Sequence, residues 1–149
     1  MSPTQDLRIG IAGLGRLGRR HALNLVRHVP GAALVAACSP LESELRWAEQ
    51  TLDISHLHRD YEALLAHDSL DAVFLATPTS LHAKHIIQAL RSGKHVFCEK
   101  PLSLELEDCR RVTAEAALHP NLKGMIGFVR RFYASYQDAY KRSEEPRSE

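Results

Sequence analysis

The stretch from Leu7 to His21 constrains the chain more than any other, and it reads LRIGIAGLGRLGRRH. An apolar run ends in three glycines with the spacing G-x-G-x-x-G, and a helical pattern of apolar residues begins at once. A strand, a glycine turn and a helix in this order are typical of the phosphate-binding turn of a dinucleotide-binding domain. The pattern predicts a strand over 7–12 and a helix over 16–28.

Each glycine of the turn has its own role in this interpretation. Gly13 permits a tight turn out of the strand, Gly15 lets a pyrophosphate approach the backbone, and Gly18 lets the helix pack close to the strand. The free N–H groups at the helix start, with Arg16 and Leu17 in the same turn, then face the phosphates. Two alternatives stay open: a glycine-rich turn that binds nothing, and the nucleoside site of a methyltransferase.

Length and composition indicate one globular domain with a small-molecule ligand. The chain has 149 residues, of which 44% are hydrophobic and 25% charged. Its net charge is +1 and no basic stripe is interleaved with aromatic residues, which argues against nucleic acid. Three cysteines without a C-x-x-C motif predict reduced thiols and a cytoplasmic location. The polar start and the short apolar runs predict neither a signal peptide nor a membrane span.

Strand and helix patterns alternate along the chain, which predicts an α/β fold with a doubly wound, parallel sheet of the Rossmann type. Beyond the first strand and helix, we predict strands over 33–38, 72–76, 95–98 and 122–128, and helices from Ser39, over 61–66, over 80–92, from Ser103 and over 134–142. Residues 53–60 are predicted to be a loop or a short strand. The predicted organisation is a polar lead-in over 1–6, a single dinucleotide-binding domain over 7–128, a final helical segment over 129–142 and a frayed tail over 143–149.

Ser39 is the candidate ribose-binding residue, because ligands of such sheets bind outside the carboxyl ends of the strands. It follows the second strand at the place where NAD-binding domains usually carry Asp or Glu for the ribose hydroxyls. A serine has no charge to repel a 2′-phosphate, so NAD and NADP both stay open, with NAD favoured. No arginine follows Ser39 directly, and the candidate cations for a 2′-phosphate are Arg46 downstream and Arg16 in the glycine turn. Ser39 also fits a helix N-cap, with Pro40 in the first turn and Glu42 completing a capping box. The two roles are compatible.

The tripeptide Glu99-Lys100-Pro101 follows the strand predicted over 95–98. Pro101 restricts Lys100 to extended conformations and permits a cis bond. At a strand end Lys100 is placed to polarise a substrate hydroxyl or to relay its proton, with Glu99 tuning it. The alternative is an ordinary surface lysine in a turn.

Histidine and tyrosine residues elsewhere receive plainer interpretations. His82 and His85 are three residues apart on one helix, but no third ligand has a suitable spacing, so we predict no metal site. His82 is expected to face the cofactor edge instead. His21 is predicted to pack, partly buried, beside the glycine turn. The tyrosines of the final helix are also predicted to be packing residues; they are Tyr133, Tyr136 and Tyr140.

Three motifs together resemble the N-terminal half of the Gfo/Idh/MocA oxidoreductase family. They are GLGRLGRRH, ATPTSLH and GKHVFCEKP, and the resemblance covers about residues 7–141. With GFVRRFYASY after the last strand, the sequence is most similar to the inositol 2-dehydrogenases of that family. The resemblance implies that Gly13, Gly15 and Gly18 hold the pyrophosphate, that Thr77, Pro78 and His82 line the cofactor, that Lys100 is the catalytic-site lysine placed by Glu99 and Pro101, and that Arg130 lies near the nicotinamide.

The resemblance implies an NAD(P)-dependent oxidoreductase that takes a hydride from the secondary alcohol of a polyol or sugar-like ring. Family members continue into a second α/β domain that forms the substrate pocket, and these 149 residues contain none of it. The alternative is a truncated or partner-dependent module that binds the dinucleotide without turnover. A methyltransferase fits less well, because it would carry an acid after the second strand and no lysine-proline turn. A monomer or a weak dimer is expected, since the family's pairing surface belongs to the second domain.

Overall fold

The structure of the protein, a computed structural model, describes residues 6–144, without the side chains of Ala139 and of 141–144. Strands and helices alternate through this part of the chain. Their bounds are β1 (Leu7–Ala12), α1 (Arg16–His28), β2 (Ala32–Cys38), α2 (Glu42–Leu52), β3 (His56–His58), α3 (Tyr61–Leu65), β4 (Ala72–Leu75), α4 (Thr79–Arg91), β5 (His95–Glu99), α5 (Leu106–Ala117), β6 (Gly124–Gly127) and α6 (Ala134–Glu144). None of these helices is both long enough and apolar enough to cross a membrane.

The strands form one parallel sheet in the order β3-β2-β1-β4-β5-β6. This confirms the predicted doubly wound sheet of the Rossmann type. The chain starts with β1 in the middle of the sheet, adds β2 and β3 on one side and then adds β4, β5 and β6 on the other side. The switch point of the topology therefore lies between β1 and β4. The crevice outside the carboxyl ends of the strands at such a switch point is where α/β sheets bind their ligands.

Both faces of the sheet are covered, because alternate residues of each strand point to opposite sides. On one side Phe74 of β4 packs with Leu25 of α1 and Leu45 of α2. On the other side Leu75 packs with Leu64 of α3 and with apolar residues of α4 and α5. All four residues of β4 are buried, as expected for a central parallel strand. The carboxyl ends of the strands, where the candidate residues lie, are therefore supported by a packed layer of helices on each face of the sheet.

Helix α2 begins at Glu42, and the predicted capping box is wrong. The Ser39 hydroxyl accepts a hydrogen bond from the Leu41 backbone N–H (3.1 Å) and donates one to Oε2 of Glu44 (2.6 Å). Glu42 instead pairs with Arg59 on the surface. Ser39 thus closes a short turn ahead of the helix, since a serine hydroxyl readily bonds a backbone N–H two residues on.

Helix α5 shows the same displacement and the same cause. The Ser103 hydroxyl accepts from the Glu105 backbone N–H (3.1 Å) and donates to Oδ2 of Asp108 (3.0 Å), so the helix begins at Leu106 and not at Ser103. A serine, a bonded N–H two residues later and a carboxylate five residues later form a turn that occurs twice in the described part of the chain. We refer to it below as the serine–carboxylate turn.

The last part of the described chain leaves aromatic side chains on the surface. Strand β6 ends at Gly127, a 3-10 turn spans Val129–Phe132, and α6 follows. Tyr133, Tyr136 and Tyr140 are 52%, 47% and 64% exposed, so they do not pack into the core. The rings of Tyr133 and Tyr136 contact each other on the surface, with centroids 6.4 Å apart. Helix α6 continues to Glu144, and the remainder of the predicted tail lies outside the described residues.

Candidate functional site

A cleft of about 630 Å³ lies outside the carboxyl ends of β2, β1 and β4. It gathers eight of the predicted site residues from three separate parts of the chain. Lys100 and Arg130, which follow β5 and β6, line a second hollow of about 410 Å³. Glu99 and His82 lie behind these surfaces and contact the loops. The eight residues of the cleft are Gly13, Gly15, Arg16, Leu17, Gly18, Ser39, Thr77 and Pro78.

Two glycines of the turn after β1 are required by packing within the protein itself. Gly13 has φ +90°, and a Cβ there would lie 2.5 Å from the carbonyl oxygen of Ala76. A Cβ on Gly18 would lie 2.0 Å from the carbonyl oxygen of Gly13. No side chain fits these distances, so Gly13 and Gly18 let the turn fold between β4 and the first turn of α1.

Gly15 differs, because a Cβ at this position would meet nothing within 4 Å. Its φ of −65° is open to any residue, so the fold alone does not call for glycine here. Gly15 is the N-cap of α1, and no side chain caps the N–H groups of that helix start. An open backbone surface in front of bare helix N–H groups suits a phosphate group. The turn therefore fits the pyrophosphate of a dinucleotide.

Arg16 adds positive charge to the same place. It is exposed, lines the cleft, and forms no ion pair with any described residue. The helix dipole contributes a partial positive charge at the same end of α1. Both favour an anionic ligand over the turn.

Ser39 borders the cleft but its side chain is fully buried. Its hydroxyl proton is donated to Glu44, and one lone pair accepts the N–H of Leu41. The carboxylate next to the end of β2 therefore belongs to Glu44, which lines the cleft and is only half-buried. Sequence spacing missed Glu44 because it lies on the helix after the strand end. The serine–carboxylate turn, with a serine followed by a carboxylate five residues later, is the local sequence signal that could have identified Glu44.

His85 and Tyr61 form an apolar wall of the cleft. Their rings stack with centroids 4.1 Å apart, and the Tyr61 hydroxyl donates to the carbonyl oxygen of His85 (3.0 Å). Burial, with Lys84 as a nearby positive charge, lowers the pKa of His85 from 6.5 to about 4. The ring is therefore neutral at physiological pH. Within residues 6–144 no three His, Cys, Asp or Glu side chains are arranged to hold a metal ion.

His82 lies beneath two functional loops and is 1% exposed. Its Nδ1 is 2.7 Å from the carbonyl oxygen of Pro101, and its Nε2 is 2.8 Å from that of Thr77. A neutral imidazole donates to one such oxygen, and an imidazolium donates to both. His82 thus connects the loop after β4 to the loop after β5. This placement favours a role in positioning the loops over direct contact with a ligand.

Glu99 connects the lysine loop to the helix of the glycine turn. Its Oε1 is 2.8 Å from Nε2 of His21, and its Oε2 accepts the backbone N–H of Lys100 (3.1 Å). The His21 ring also packs against Phe74, with centroids 4.7 Å apart. His21 therefore packs against Phe74 as predicted, and it also contacts the Glu99 carboxylate. Sequence patterns carry no signal for a pair separated by 78 residues.

Lys100 extends into solvent from this anchored backbone. The Lys100–Pro101 bond is cis. The side chain is exposed, and its ammonium has no hydrogen-bond or ion-pair partner among the described side chains. The backbone of Lys100 is thus fixed by Glu99 while its amine is available to a ligand.

Two buried thiols also stand near the strand ends. Burial raises the pKa of Cys38 and of Cys98 to about 12. Both stay protonated at neutral pH, so neither is an activated nucleophile. Neither thiol is therefore a candidate for the chemistry of this site.

Comparison with known proteins identifies the relatives of this chain. Residues 7–128 match the family model described as the Gfo/Idh/MocA oxidoreductase family, NAD-binding Rossmann fold. A scyllo-inositol 2-dehydrogenase (NAD⁺) of Bacillus subtilis is 40% identical over 137 residues, which are 92% of this chain and 40% of the relative. A myo-inositol 2-dehydrogenase of Thermotoga maritima is 36% identical over 131 residues, 88% of this chain and 39% of the relative.

A solved structure shows the same architecture. The crystal structure of scyllo-inositol dehydrogenase from Lactobacillus casei with bound NAD(H) and scyllo-inositol superposes with a TM-score of 0.90 at 40% identity, and covers 95% of this chain and 42% of that one. The chain thus spans about 40% of the length of the relatives it matches. The family model covers most of the chain, and the six-stranded parallel sheet agrees with the Rossmann fold that it describes. The chain belongs to the Gfo/Idh/MocA family of oxidoreductases and forms an NAD-binding Rossmann domain of that family.

Proposed function

We propose that this chain holds a nicotinamide dinucleotide across its sheet edge and supplies Lys100 as the catalytic-site lysine of a polyol dehydrogenase. The observation that carries the proposal is the position of Lys100. Its free amine follows β5, two strands from the Gly15 cradle after β1, on the same edge. Neighbouring strands are about 4.8 Å apart, so roughly 10 Å separate the two strand ends. An extended dinucleotide lying along the edge bridges such a gap.

The binding mode follows from the order of the strand ends. The pyrophosphate sits over Gly15 and the start of α1, with Arg16 and Leu17 beside it. The adenosine ribose then points toward the end of β2, as in other Rossmann domains. The nicotinamide half extends the other way, past Thr77 and Pro78 toward the hollow of Lys100 and Arg130.

When bound, the nicotinamide supplies the hydride acceptor of the reaction. Lys100 hydrogen-bonds the substrate hydroxyl and relays its proton to solvent while the alcohol carbon becomes a ketone. Glu99 fixes the backbone of Lys100, and His21 holds Glu99 in place. These contacts fix the backbone from which the Lys100 side chain extends, and they leave its amine without an ion pair among the described residues.

The substrate class is inferred from the relatives. Those of Bacillus subtilis and Thermotoga maritima are named as scyllo- and myo-inositol 2-dehydrogenases, and the Lactobacillus casei structure holds scyllo-inositol. A cyclic polyol with a secondary hydroxyl is therefore the proposed substrate.

A second candidate function is binding without turnover. It is favoured by the length of the match, because the 149 residues correspond to about 40% of each relative. In this case the chain holds the dinucleotide, and the groups that bind the alcohol lie elsewhere.

Calorimetric titration of the 149-residue protein with NAD, followed by an assay of nicotinamide reduction with scyllo- and myo-inositol, tests both candidates. Lys100→Met is the matched variant, since it keeps the length of the side chain and removes the amine. Binding with turnover that Lys100→Met abolishes supports the dehydrogenase, provided that the variant still binds NAD. Binding without turnover supports the module. A protein that binds neither NAD nor NADP contradicts both.

A further inference from the structure

The adenosine end of the cleft has an unusual arrangement of polar groups. Rossmann domains that bind NAD hold the ribose hydroxyls with an acidic side chain at the end of the second strand. Here that position is Ser39, whose side chain is 0% exposed and whose proton is already donated to Glu44. Ser39 therefore has no free proton or accessible surface for a ribose. Another group has to perform this task if the cleft binds a dinucleotide.

Glu44 is placed to do so. Its Oε2 is 2.6 Å from the Ser39 hydroxyl, so the carboxylate stands one hydrogen bond from the end of β2. Glu44 lines the cleft, and its Oε1 has no hydrogen-bond partner among the described residues. A carboxylate with one anchored and one available oxygen accepts hydrogen bonds from a vicinal diol. It also repels a phosphate on the same ribose.

The other charges around the cleft do not offset this carboxylate. Arg59 lines the same end, but its guanidinium pairs with Glu42. Lys84 and Glu62 line the cleft from α4 and α3, one charge of each sign. Arg16 lies at the glycine turn, where it serves the pyrophosphate. Among the described residues, the end next to β2 therefore presents the Glu44 carboxylate, an arginine that is paired with Glu42, and a lysine that lies near the carboxylate of Glu62.

We infer that Glu44, held by Ser39, is the residue that selects NAD over NADP in this chain. The inference rests on the proposed dinucleotide site and adds to it the group that discriminates the 2′-position. Ser39 acts through Glu44 as a positioning residue. The acid that NAD-binding domains usually carry after the second strand is thus supplied here from the first turn of α2.

Separate titrations of the 149-residue protein with NAD and with NADP test the inference, because the two ligands differ only by the 2′-phosphate. The wild type is expected to bind NAD more tightly. Glu44→Gln keeps the shape of the side chain and removes its charge. We expect it to lower the ratio of NAD affinity to NADP affinity by about tenfold, through weaker NAD binding and tighter NADP binding.

Two matched variants separate selectivity from general effects. Asp108→Asn removes the carboxylate of the other serine–carboxylate turn, which Asp108 forms with Ser103 away from the cleft. Glu49→Gln removes a carboxylate from the exposed surface of the same helix α2. Both are expected to leave the affinity ratio unchanged. Circular dichroism and thermal unfolding check that every variant is folded.

The outcomes are distinct. Three results overturn the role of Glu44 and leave the dinucleotide site in place. They are an unchanged affinity ratio in Glu44→Gln, an equal loss of affinity for both ligands in that variant, and a wild type that binds NADP as tightly as NAD. A control variant that shifts the ratio as far as Glu44→Gln also overturns the role of Glu44. A wild type that binds neither ligand overturns the proposed function and this inference together.

Discussion

Replacing the middle and the last glycine of the turn by alanine separates the demands of folding from those of ligand binding. In Gly15→Ala the new methyl group meets nothing in the protein within 4 Å, and φ is −65°. Loss of unfolded-state freedom stabilises such a variant by about 0.4–1 kcal/mol, and alanine is a poorer N-cap by about 0.5–1 kcal/mol. The two effects nearly cancel, so the free energy of unfolding should stay close to that of the wild type.

The ligand is affected far more than the fold in this variant. The methyl group stands where a phosphate oxygen approaches the helix N–H groups, and a hydrogen bond to a charged group contributes about 1.5–3 kcal/mol. Losing one weakens NAD binding by about tenfold to a hundredfold. Calorimetric titration measures this loss, and urea unfolding monitors stability.

Gly18→Ala is the contrasting variant. Its methyl group would lie 2.0 Å from the backbone oxygen of Gly13, which has no flexible end to move aside. Overpacking of this kind costs about 2 kcal/mol or more, so both stability and NAD binding should fall. The reasoning is refuted if Gly15→Ala binds NAD within about twofold of the wild type, or if Gly18→Ala unfolds at the wild-type urea concentration.

Three further results are expected. The pKa of His85 is about 4 in the folded chain and 6.5 in the unfolded chain, so the stability that this residue contributes is complete above pH 6.5 and is lost as the pH falls toward 4. Urea unfolding should show a loss of up to about 3 kcal/mol over this range, and His85→Phe should flatten the pH dependence. His82→Ala removes the side chain that contacts the carbonyl oxygens of Thr77 and Pro101 and leaves at least one of them without its donor, so it should lower stability by about 2–4 kcal/mol. The control His28→Ala, on the exposed end of α1, should change stability by less than about 0.5 kcal/mol. Light scattering at micromolar concentration should give a monomer or a weak dimer, and a tight dimer would contradict this.

Local sequence patterns predicted the scaffold well because most of its elements are determined locally. The bounds of β1 and α1 agree with the prediction, since the apolar run, the glycines and the Pro30-Gly31 stop all act within a few residues. The parallel pairing of the strands follows from their alternation with helices, because each crossover returns the chain to the same end of the sheet. The helix starts at Ser39 and Ser103 were misplaced because a serine that bonds a backbone N–H two residues later resembles an N-cap in sequence.

The site was less predictable than the scaffold. Glycine spacing and the lysine-proline turn pointed to the carboxyl ends of the strands, where the structure places these residues, because both signals are continuous in sequence. The bond between His21 and Glu99 and the two bonds of His82 join residues from different elements, so no local pattern contains them. The burial of Ser39 depends on how α2 packs beside β2, which composition and spacing do not describe.

The crowding around Gly13 has a consequence for motion. Its N–H donates to the Cys38 carbonyl, while the Ala76 carbonyl occupies the space that a side chain would need. The exits of three strands are thus in direct contact, and none of these loops is able to shift far alone. A ligand that orders the glycine turn should therefore slow backbone amide exchange after β2 and β4 as well, so that the three loops behave as a single mechanical unit.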